Sequence, residues 1–226
     1  MSEPAATRPE ACCPPGAFGD PRAEAIGRHF DDRIVDWEPV APAATDLMWG
    51  WVEEAGLATA SFLDLGCGGG PLLLRALDAG AARATGVDLS ADSIEVARDR
   101  LAEAGRMDQV DLMTGDAAAA DLETHDVVVL DKVICCYPNA ALLVDHSSAA
   151  AGRIYAFAIP ESRGLWGLVN RGWWLWDAIV TVISRTGVII KVHSVAAIRQ
   201  RLAVNGFRLR HEGRSGVWYV GVFERA

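Results

Sequence analysis

Short apolar runs alternate with helical patterns along the chain from about residue 60 onward. Glycine, aspartate or a helix-capping residue follows most of these runs, as expected where a buried strand ends. The runs predict strands at 61–65, 82–88, 109–114, 126–131 and 153–159. Helical spacing of apolar residues, with caps or glycine stops, predicts helices at 71–80, 90–105, 139–151 and 194–205.

Both ends of the chain extend this pattern. Ile26, Phe30 and Ile34 recur at a spacing of four residues, which predicts a helix that starts after Asp20. A second helix fits residues 43–55. Two apolar runs near the end predict a terminal antiparallel pair, at 207–211 and 217–223. Strands that alternate with helices form right-handed βαβ units, so we predict an α/β fold with a mainly parallel sheet covered on both faces.

Composition limits the possible partners and compartments. The chain has 226 residues and a net charge of −9, which disfavours nucleic acid as a partner because such binding needs a cationic footprint. Five cysteines, including two adjacent pairs, make a poor disulfide framework, so we predict a cytoplasmic protein. Charges interrupt the longest apolar stretch, residues 165–190, so we expect no membrane-spanning helix.

The strongest chemical motif is FLDLGCGGG at residues 62–70, where a strand, a glycine loop and a helix follow one another. Gly66, Gly68 and Gly70 remove Cβ atoms where the backbone must turn and approach a ligand. The helix that starts after Gly70 adds free N–H groups and the positive end of its dipole. The loop therefore predicts a site for a nucleotide-like ligand.

Three acids sharpen this prediction. Asp64 lies inside the first strand, two residues before the glycine loop, and would need donors if buried. Asp88 ends the second strand, where a carboxylate can accept hydrogen bonds from ribose hydroxyls. Asp116 follows the third strand, where it can accept from an exocyclic amine, although a solvated turn acid is the alternative.

A nicotinamide-binding fold is the first competing interpretation. Its fingerprint places a third glycine where helix and strand pack closely. Here Pro71 and two leucines follow the loop, and Asp64 replaces the usual apolar strand residue. The P-loop lysine signature is also absent from the sequence.

The pattern resembles the class I S-adenosylmethionine-dependent methyltransferases, whose loop has the form hhDxGxGxG. The resemblance covers about residues 56–226 and implies a Rossmann-like, seven-stranded sheet with a terminal antiparallel strand. It implies S-adenosylmethionine as cofactor, with the loop on its methionine part, Asp88 on ribose and Asp116 on adenine. The predicted cofactor residues are Asp64, Gly66, Cys67, Gly68, Gly70, Asp88, Leu89, Ser90, Gly115, Asp116, Ala117, Asp131 and Val133.

The second half resembles the magnesium protoporphyrin IX methyltransferases more closely. Their segments LIHYP, FAP and LHS are similar to residues 133–138, 157–160 and 192–194 here. The family's histidine before Tyr-Pro is Cys136 in this chain, and its N-terminal tyrosine matches His29. The resemblance implies transfer to a propionate carboxylate as one possible reaction.

Candidate catalytic residues follow from the chemistry of methyl transfer. Alignment of nucleophile, carbon and sulfur supplies much of the acceleration, and a phenol or amine acceptor also benefits from a base. His29, Tyr137 and His193 are the candidates, with an exposed helix residue and a loop-structuring residue as alternatives for the two histidines. Adjacent cysteines lack the usual zinc spacing, and the acid–amide pair of a magnesium site is missing at Glu161 and Ser162, so we expect no metal.

Residues 161–192 form a tryptophan-rich insertion after the fifth strand. Aromatic side chains offer flat surfaces to planar substrates, so a substrate-covering role is predicted, and a dimer interface or a membrane-surface patch is the alternative. The predicted substrate-binding residues are Phe30, Tyr137, Arg163, Trp166 and Trp173.

These observations predict one methyltransferase domain over residues 1–226, acting on a small, largely apolar or aromatic molecule, with oxygen as the first choice of acceptor atom. The alternatives are a porphyrin carboxyl methyltransferase and a methyltransferase-like fold that binds the cofactor without transfer. A monomer or homodimer and peripheral membrane contact stay open. The predicted parts are a loose tail (1–19), an N-terminal helical cap (20–56), a cofactor-binding core (57–160), the insertion (161–192) and the last helix with terminal strands (193–226).

Overall fold

A computed structural model describes residues 22–31, 42–184 and 191–226. The predicted loose tail at 1–19 and Ile34 of the first helical stripe lie outside these residues. The described strands form a seven-stranded sheet in the order β3-β2-β1-β4-β5-β7-β6. Their bounds are β1 Ser61–Leu65, β2 Arg83–Asp88, β3 Val110–Thr114, β4 His125–Asp131, β5 Ala151–Pro160, β6 Phe207–Ser215 and β7 Trp218–Arg225.

Strand direction follows the prediction. The pairs among β1 to β5 are parallel, whereas β7 runs antiparallel to both β5 and β6. In the parallel part, Asp64 pairs with Gly86 on one side and with Val129 on the other, so the carboxyl ends of β1, β2 and β4 meet at one edge. The predicted mainly parallel sheet with a terminal antiparallel strand is confirmed.

Seven helices are described around this sheet. They are α1 Ala23–Asp31, α2 Pro42–Glu54, α3 Pro71–Asp78, α4 Ala91–Glu103, α5 Ala140–Ala149, α6 Gly164–Ser184 and α7 Val195–Val204, with a short 3-10 helix at Met107–Gln109. Side-chain caps begin three of the helices, as predicted: Ser90, Asn139 and Ser194 accept from backbone N–H groups of α4, α5 and α7. The cap oxygens satisfy N–H groups that have no partner inside the helix.

The apolar core lies on both faces of the sheet. On one face, Leu143 of α5 and Ile198 of α7 belong to the same buried cluster as Leu63 of β1. On the other face, Trp49 of α2 packs its ring edge-on against Phe62, with ring centroids 6.1 Å apart. Because successive strand residues point to opposite faces, β1 contributes apolar side chains to both clusters.

The predicted insertion contains α6, an element that the sequence pattern did not resolve. Asn170 of α6 donates from Nδ2 to the backbone oxygens of Glu161 and Val217, which ties the helix to the end of β5 and the β6–β7 turn. Leu165, Leu168 and Trp173 are exposed on it. None of the described helices combines the length and the apolar character that crossing a bilayer requires.

Candidate functional site

The glycine loop between β1 and α3 depends on backbone conformations that other residues adopt rarely. Gly66, Gly68 and Gly70 have φ angles of +75°, +51° and +73°. A Cβ atom on Gly66 would lie 2.4 Å from Cγ2 of Val133, in the turn after β4. The end of β1 therefore approaches this turn more closely than any side chain at residue 66 would allow.

The carboxylate of Asp88 links the end of β2 to the glycine loop. Its Oδ2 accepts from the N–H of Gly68 at 2.8 Å, and its Oδ1 accepts from the N–H of Ser90 at 2.9 Å. Burial raises the pKa of Asp88, and these two backbone donors partly offset that rise. A carboxylate at the end of β2 is thus fixed at the edge where the parallel strands end.

Asp116 is a fully buried residue rather than a solvated turn acid. Its Oδ2 accepts from the hydroxyl of Tyr137 at 2.9 Å, and its Oδ1 accepts from the N–H of Ala118 at 2.9 Å. These donors reduce the cost of burying a carboxylate.

These segments surround a cavity of about 400 Å³ at the carboxyl ends of the parallel strands, and residues of α1 and α2 also line it. The predicted cofactor residues that line it are Asp64, Gly66, Cys67, Gly68, Asp88, Leu89, Gly115, Asp116, Ala117, Asp131 and Val133. Gly70 and Ser90 lie behind this lining: Gly70 begins α3, and Ser90 accepts from the N–H of Ser93 as the cap of α4.

The electrostatics of the cavity favour a cationic ligand. Burial raises the pKa of Asp64 well above its usual range, and the negative charges of Asp131 and Asp88 raise it further. Burial and the same kind of acidic neighbours also raise the pKa of the Cys67 thiol. A ligand that brings positive charge next to Asp64 would offset the cost of ionising this buried carboxylate.

Lys132 and Thr45 also line the cavity, although neither is among the site residues predicted from the sequence. Thr45, on α2, donates its hydroxyl to Oδ2 of Asp131 at 2.6 Å, and the ammonium of Lys132 lies 2.7 Å from the same oxygen. Lys132 has a φ of +62°, unusual for a residue with a side chain. One signal was available in the sequence: the chain has only two lysines, against 19 arginines.

Two of the three predicted catalytic residues lie outside the cavity lining. Nε2 of His193 lies 3.1 Å from the carbonyl oxygen of Tyr137, in a separate groove between α5 and α7, and burial lowers its pKa. His29, on α1, packs its ring edge-on against Phe30. Tyr137 lines the cavity, but its hydroxyl is bonded to Asp116.

The predicted substrate residues divide in the same way. Phe30 and Tyr137 line the cavity. Arg163 instead bonds Glu161 through Nε and a terminal nitrogen, both at 3.1 Å, and stacks over another aromatic ring. Trp166 lies under the guanidinium of an arginine of β6, and Trp173 is 71% exposed. Arg163, Trp166 and Trp173 are not among the residues that line the cavity; α6, which carries the two tryptophans, is bonded through Asn170 to the β6–β7 turn.

Comparison with known proteins shows that the central part of the chain is similar to methyltransferases. Residues 62–152 match a family model described as a methyltransferase domain. The ribosomal protein L11 methyltransferase of Aeromonas hydrophila is 38% identical over 143 residues, which are 63% of this chain and 48% of that protein. The corresponding enzyme of Pectobacterium atrosepticum is 32% identical over 110 residues, 49% of this chain and 37% of that protein. The chain thus spans less than half the length of these curated relatives.

Two solved structures cover nearly the whole chain. Magnesium protoporphyrin IX methyltransferase from Synechocystis PCC 6803, with bound SAH, has a TM-score of 0.70 at 20% identity, over 91% of this chain and 100% of that one. Geranyl diphosphate C-methyltransferase from Streptomyces coelicolor A3(2) has a TM-score of 0.67 at 14% identity, over 92% and 99%. At these identities the likeness shows the fold, which is the Rossmann-like fold that the sequence predicted.

Proposed function

We propose that this chain, whose residues 62–152 match a methyltransferase domain, is a class I S-adenosylmethionine-dependent methyltransferase that transfers a methyl group to an oxygen atom of a small, largely apolar or aromatic molecule. The observation that carries the proposal is that the glycine loop, the strand-end acids and residues of α1 and α2 line one and the same cavity. Such a cavity can hold a nucleoside-type cofactor and a small acceptor side by side.

The residues of the cavity fit S-adenosylmethionine. The glycine loop and Asp64 would hold its methionine part, Asp88 its ribose, and Asp116 with Ala117 its adenine. Asp131 and Val133 would border the reacting group at the end of β4. When bound, the cofactor supplies an electrophilic methyl group on a sulfonium; the acids around Asp64 provide the complementary negative charge.

The acceptor half of the cavity is the part lined by α1, α2, the segment after β4 and the first residue of β7. Ile26, Phe30, Pro42 and Trp218 give it apolar and aromatic walls. Flat aromatic walls favour planar, apolar acceptors. The chain's own contribution to the rate is then mainly the alignment of the acceptor.

Two other acceptor classes are alternatives. A porphyrin carboxylate would agree with the likeness to the Synechocystis structure, but His29 and Cys136 stand where that family has tyrosine and histidine. A protein acceptor would agree with the name of the ribosomal protein L11 methyltransferases. An alternative of a different class is a domain that binds the cofactor without transferring a methyl group.

The exposed apolar side chains of α6 are compatible with a homodimer interface or with peripheral contact to a membrane.

The proposal is tested with the purified chain in two steps. Titration calorimetry should detect binding of both S-adenosylmethionine and S-adenosylhomocysteine, and absence of heat with both would overturn the proposal. Release of S-adenosylhomocysteine is then measured with phenols, aromatic carboxylates, amines and ribosomal protein L11 as acceptors. Turnover with phenols supports the proposal; turnover with L11 alone, or binding without turnover, supports an alternative.

A further inference from the structure

The side chains of Asp131 and Lys132, at the end of β4, contact each other although they are neighbours in the chain. Successive residues of a strand normally point to opposite faces. The left-handed backbone of Lys132, with φ of +62°, interrupts this alternation. Its ammonium consequently lies 2.9 Å and 2.7 Å from the two carboxylate oxygens of Asp131. Such strained conformations concentrate at functional sites.

Thr45 completes a group of three residues that fixes the Asp131 carboxylate. Its hydroxyl donates to Oδ2 of Asp131, and its oxygen accepts from the ammonium of Lys132. A carboxylate offers about four acceptor positions. Thr45 and Lys132 take three of them, two on Oδ2 and one on Oδ1. Within the part of the chain that the structure describes, one position of Oδ1 therefore stays available to a ligand in the cavity that Asp131 lines.

Few other groups in the acceptor half could take a proton. Among the described residues there, Asp46 carries the other carboxylate, but it is largely exposed and pairs with Arg75 at 2.7 Å. Cys136 contributes a thiol. Asp131, by contrast, has a side chain only 16% exposed. Of these two carboxylates, that of Asp131 is therefore the better placed to contact a bound acceptor.

We infer that Asp131 is the catalytic base that takes the proton of a hydroxyl-bearing acceptor, and that Lys132 and Thr45 are its positioning residues. The inference rests on the proposed function. The acceptor oxygen forms its bond to the methyl carbon as the carbon–sulfur bond breaks, and that bond's electron pair stays on sulfur. The hydroxyl proton passes to Oδ1 of Asp131, which later releases it to water. The products are S-adenosylhomocysteine and a neutral methyl ether.

This arrangement selects among acceptor classes. A carboxylate acceptor needs no base, and it has no hydrogen to donate to Oδ1 of Asp131. A phenol or enol arrives neutral and donates a hydrogen bond to Oδ1. The substrate class assigned by the site is thus a neutral, planar molecule with an acidic hydroxyl.

The test compares two probes in the complex with saturating S-adenosylhomocysteine: 2-naphthol, which has a hydroxyl, and 2-methoxynaphthalene, which has none. The wild-type complex should bind 2-naphthol at least about tenfold more tightly, since hydrogen bonds to charged groups are the stronger ones. The absorption band of bound 2-naphthol should also move to longer wavelength, because its hydroxyl faces a carboxylate.

Variants assign the effect to Asp131. Asp131→Ala should abolish the preference for 2-naphthol. Asp131→Asn should abolish the band shift. This variant keeps the side-chain volume, so it tests the inference even if the alanine variant does not fold. Lys132→Met should weaken both effects, and Lys132→Arg should restore part of them. The controls Asp46→Asn and Lys191→Met, which change a second carboxylate at the cavity and the second lysine, should leave the preference unchanged.

Several outcomes would overturn the inference. They are equal affinity of the wild type for the two probes, no binding of 2-naphthol, a preference that survives Asp131→Ala, and a preference lost in Cys136→Ser instead. Failure of S-adenosylhomocysteine to bind the wild type would instead remove the proposed function. The two failures are therefore distinguishable in one set of titrations.

Discussion

Tyr137 donates its hydroxyl hydrogen to the buried carboxylate of Asp116 across a distance of 2.9 Å. The two residues lie in different turns, one after β3 and the other after β4, and both line the cavity. The carboxylate of Asp116, which the sequence predicted to bind adenine, is therefore held by Tyr137, which the sequence predicted to be catalytic. We therefore propose that Tyr137 acts on the site by holding Asp116 in place.

Removal of this hydroxyl should affect both stability and cofactor binding. Tyr137→Phe deprives a buried carboxylate of a donor, which we expect to lower the free energy of unfolding by about 1–3 kcal/mol. The affinity for S-adenosylhomocysteine should fall as well. The matched control is Tyr155→Phe, which removes a buried hydroxyl bonded to Ser147 at 2.8 Å. It should lower stability without a change in affinity; equal affinities of both variants and the wild type would refute this role of Tyr137.

Asp88 should matter more for ligand binding than any exposed acid of α4. Asp88→Ala removes the acceptor of two backbone N–H groups and the proposed ribose contact. Hydrogen bonds to a charged group contribute about 1.5–3 kcal/mol, so the calorimetric affinity for S-adenosylhomocysteine should fall roughly 10- to 100-fold. Asp92→Ala, at an exposed position in the first turn of α4, should bind normally. Unchanged binding by Asp88→Ala would remove the ribose assignment.

The close approach at Gly66 can be separated from its backbone strain. Alanine at Gly66 or at Gly105 takes a left-handed conformation, at a cost of about 1–2 kcal/mol. Only at Gly66 would the new Cβ also meet Val133, and overpacking adds about 1–3 kcal/mol. In denaturant unfolding, Gly66→Ala should therefore lower the free energy of unfolding more than Gly105→Ala does. The double variant Gly66→Ala/Val133→Ala should recover part of the difference, and no recovery would contradict the steric cause.

Asp64 should make the ligand-free protein less stable as pH rises. Burial holds its folded-state pKa well above the unfolded value, so the folded state keeps this proton over a pH range in which the unfolded chain has lost it. The contribution of Asp64 to the free energy of unfolding therefore declines from about pH 4 up to the raised pKa. Asp64→Asn removes this contribution, so its stability relative to wild type should increase with pH over that range.

Denaturant unfolding at a series of pH values measures this difference, with the exposed Asp99→Asn as the control. A pH-independent difference between Asp64→Asn and wild type would show that Asp64 does not titrate in this way. Asp64→Asn should also lose most of any preference for S-adenosylmethionine over S-adenosylhomocysteine, because the sulfonium charge no longer faces a carboxylate.

The sequence predicted elements best where local physics decides them. The helix caps at Ser90, Asn139 and Ser194 follow from hydrogen bonding within a few residues. Boundaries set by pairing were less accurate: β5 begins at Ala151 rather than 153, and β6 continues to Ser215 rather than 211. Pairing with β4 and β7 extends these strands, and no local pattern records it.

The sequence by itself determined the parallel sheet, the glycine loop and the acids that follow β1, β2 and β3, because apolar periodicity and glycine spacing are local properties of the chain. Only the tertiary structure decided which side chains meet across the cavity. Thr45 reaches Asp131 from a position 86 residues away, and Trp166 and Trp173 of α6 are not among the residues that line the cavity. Such contacts depend on how helices pack on the sheet, which is a collective result of the whole core.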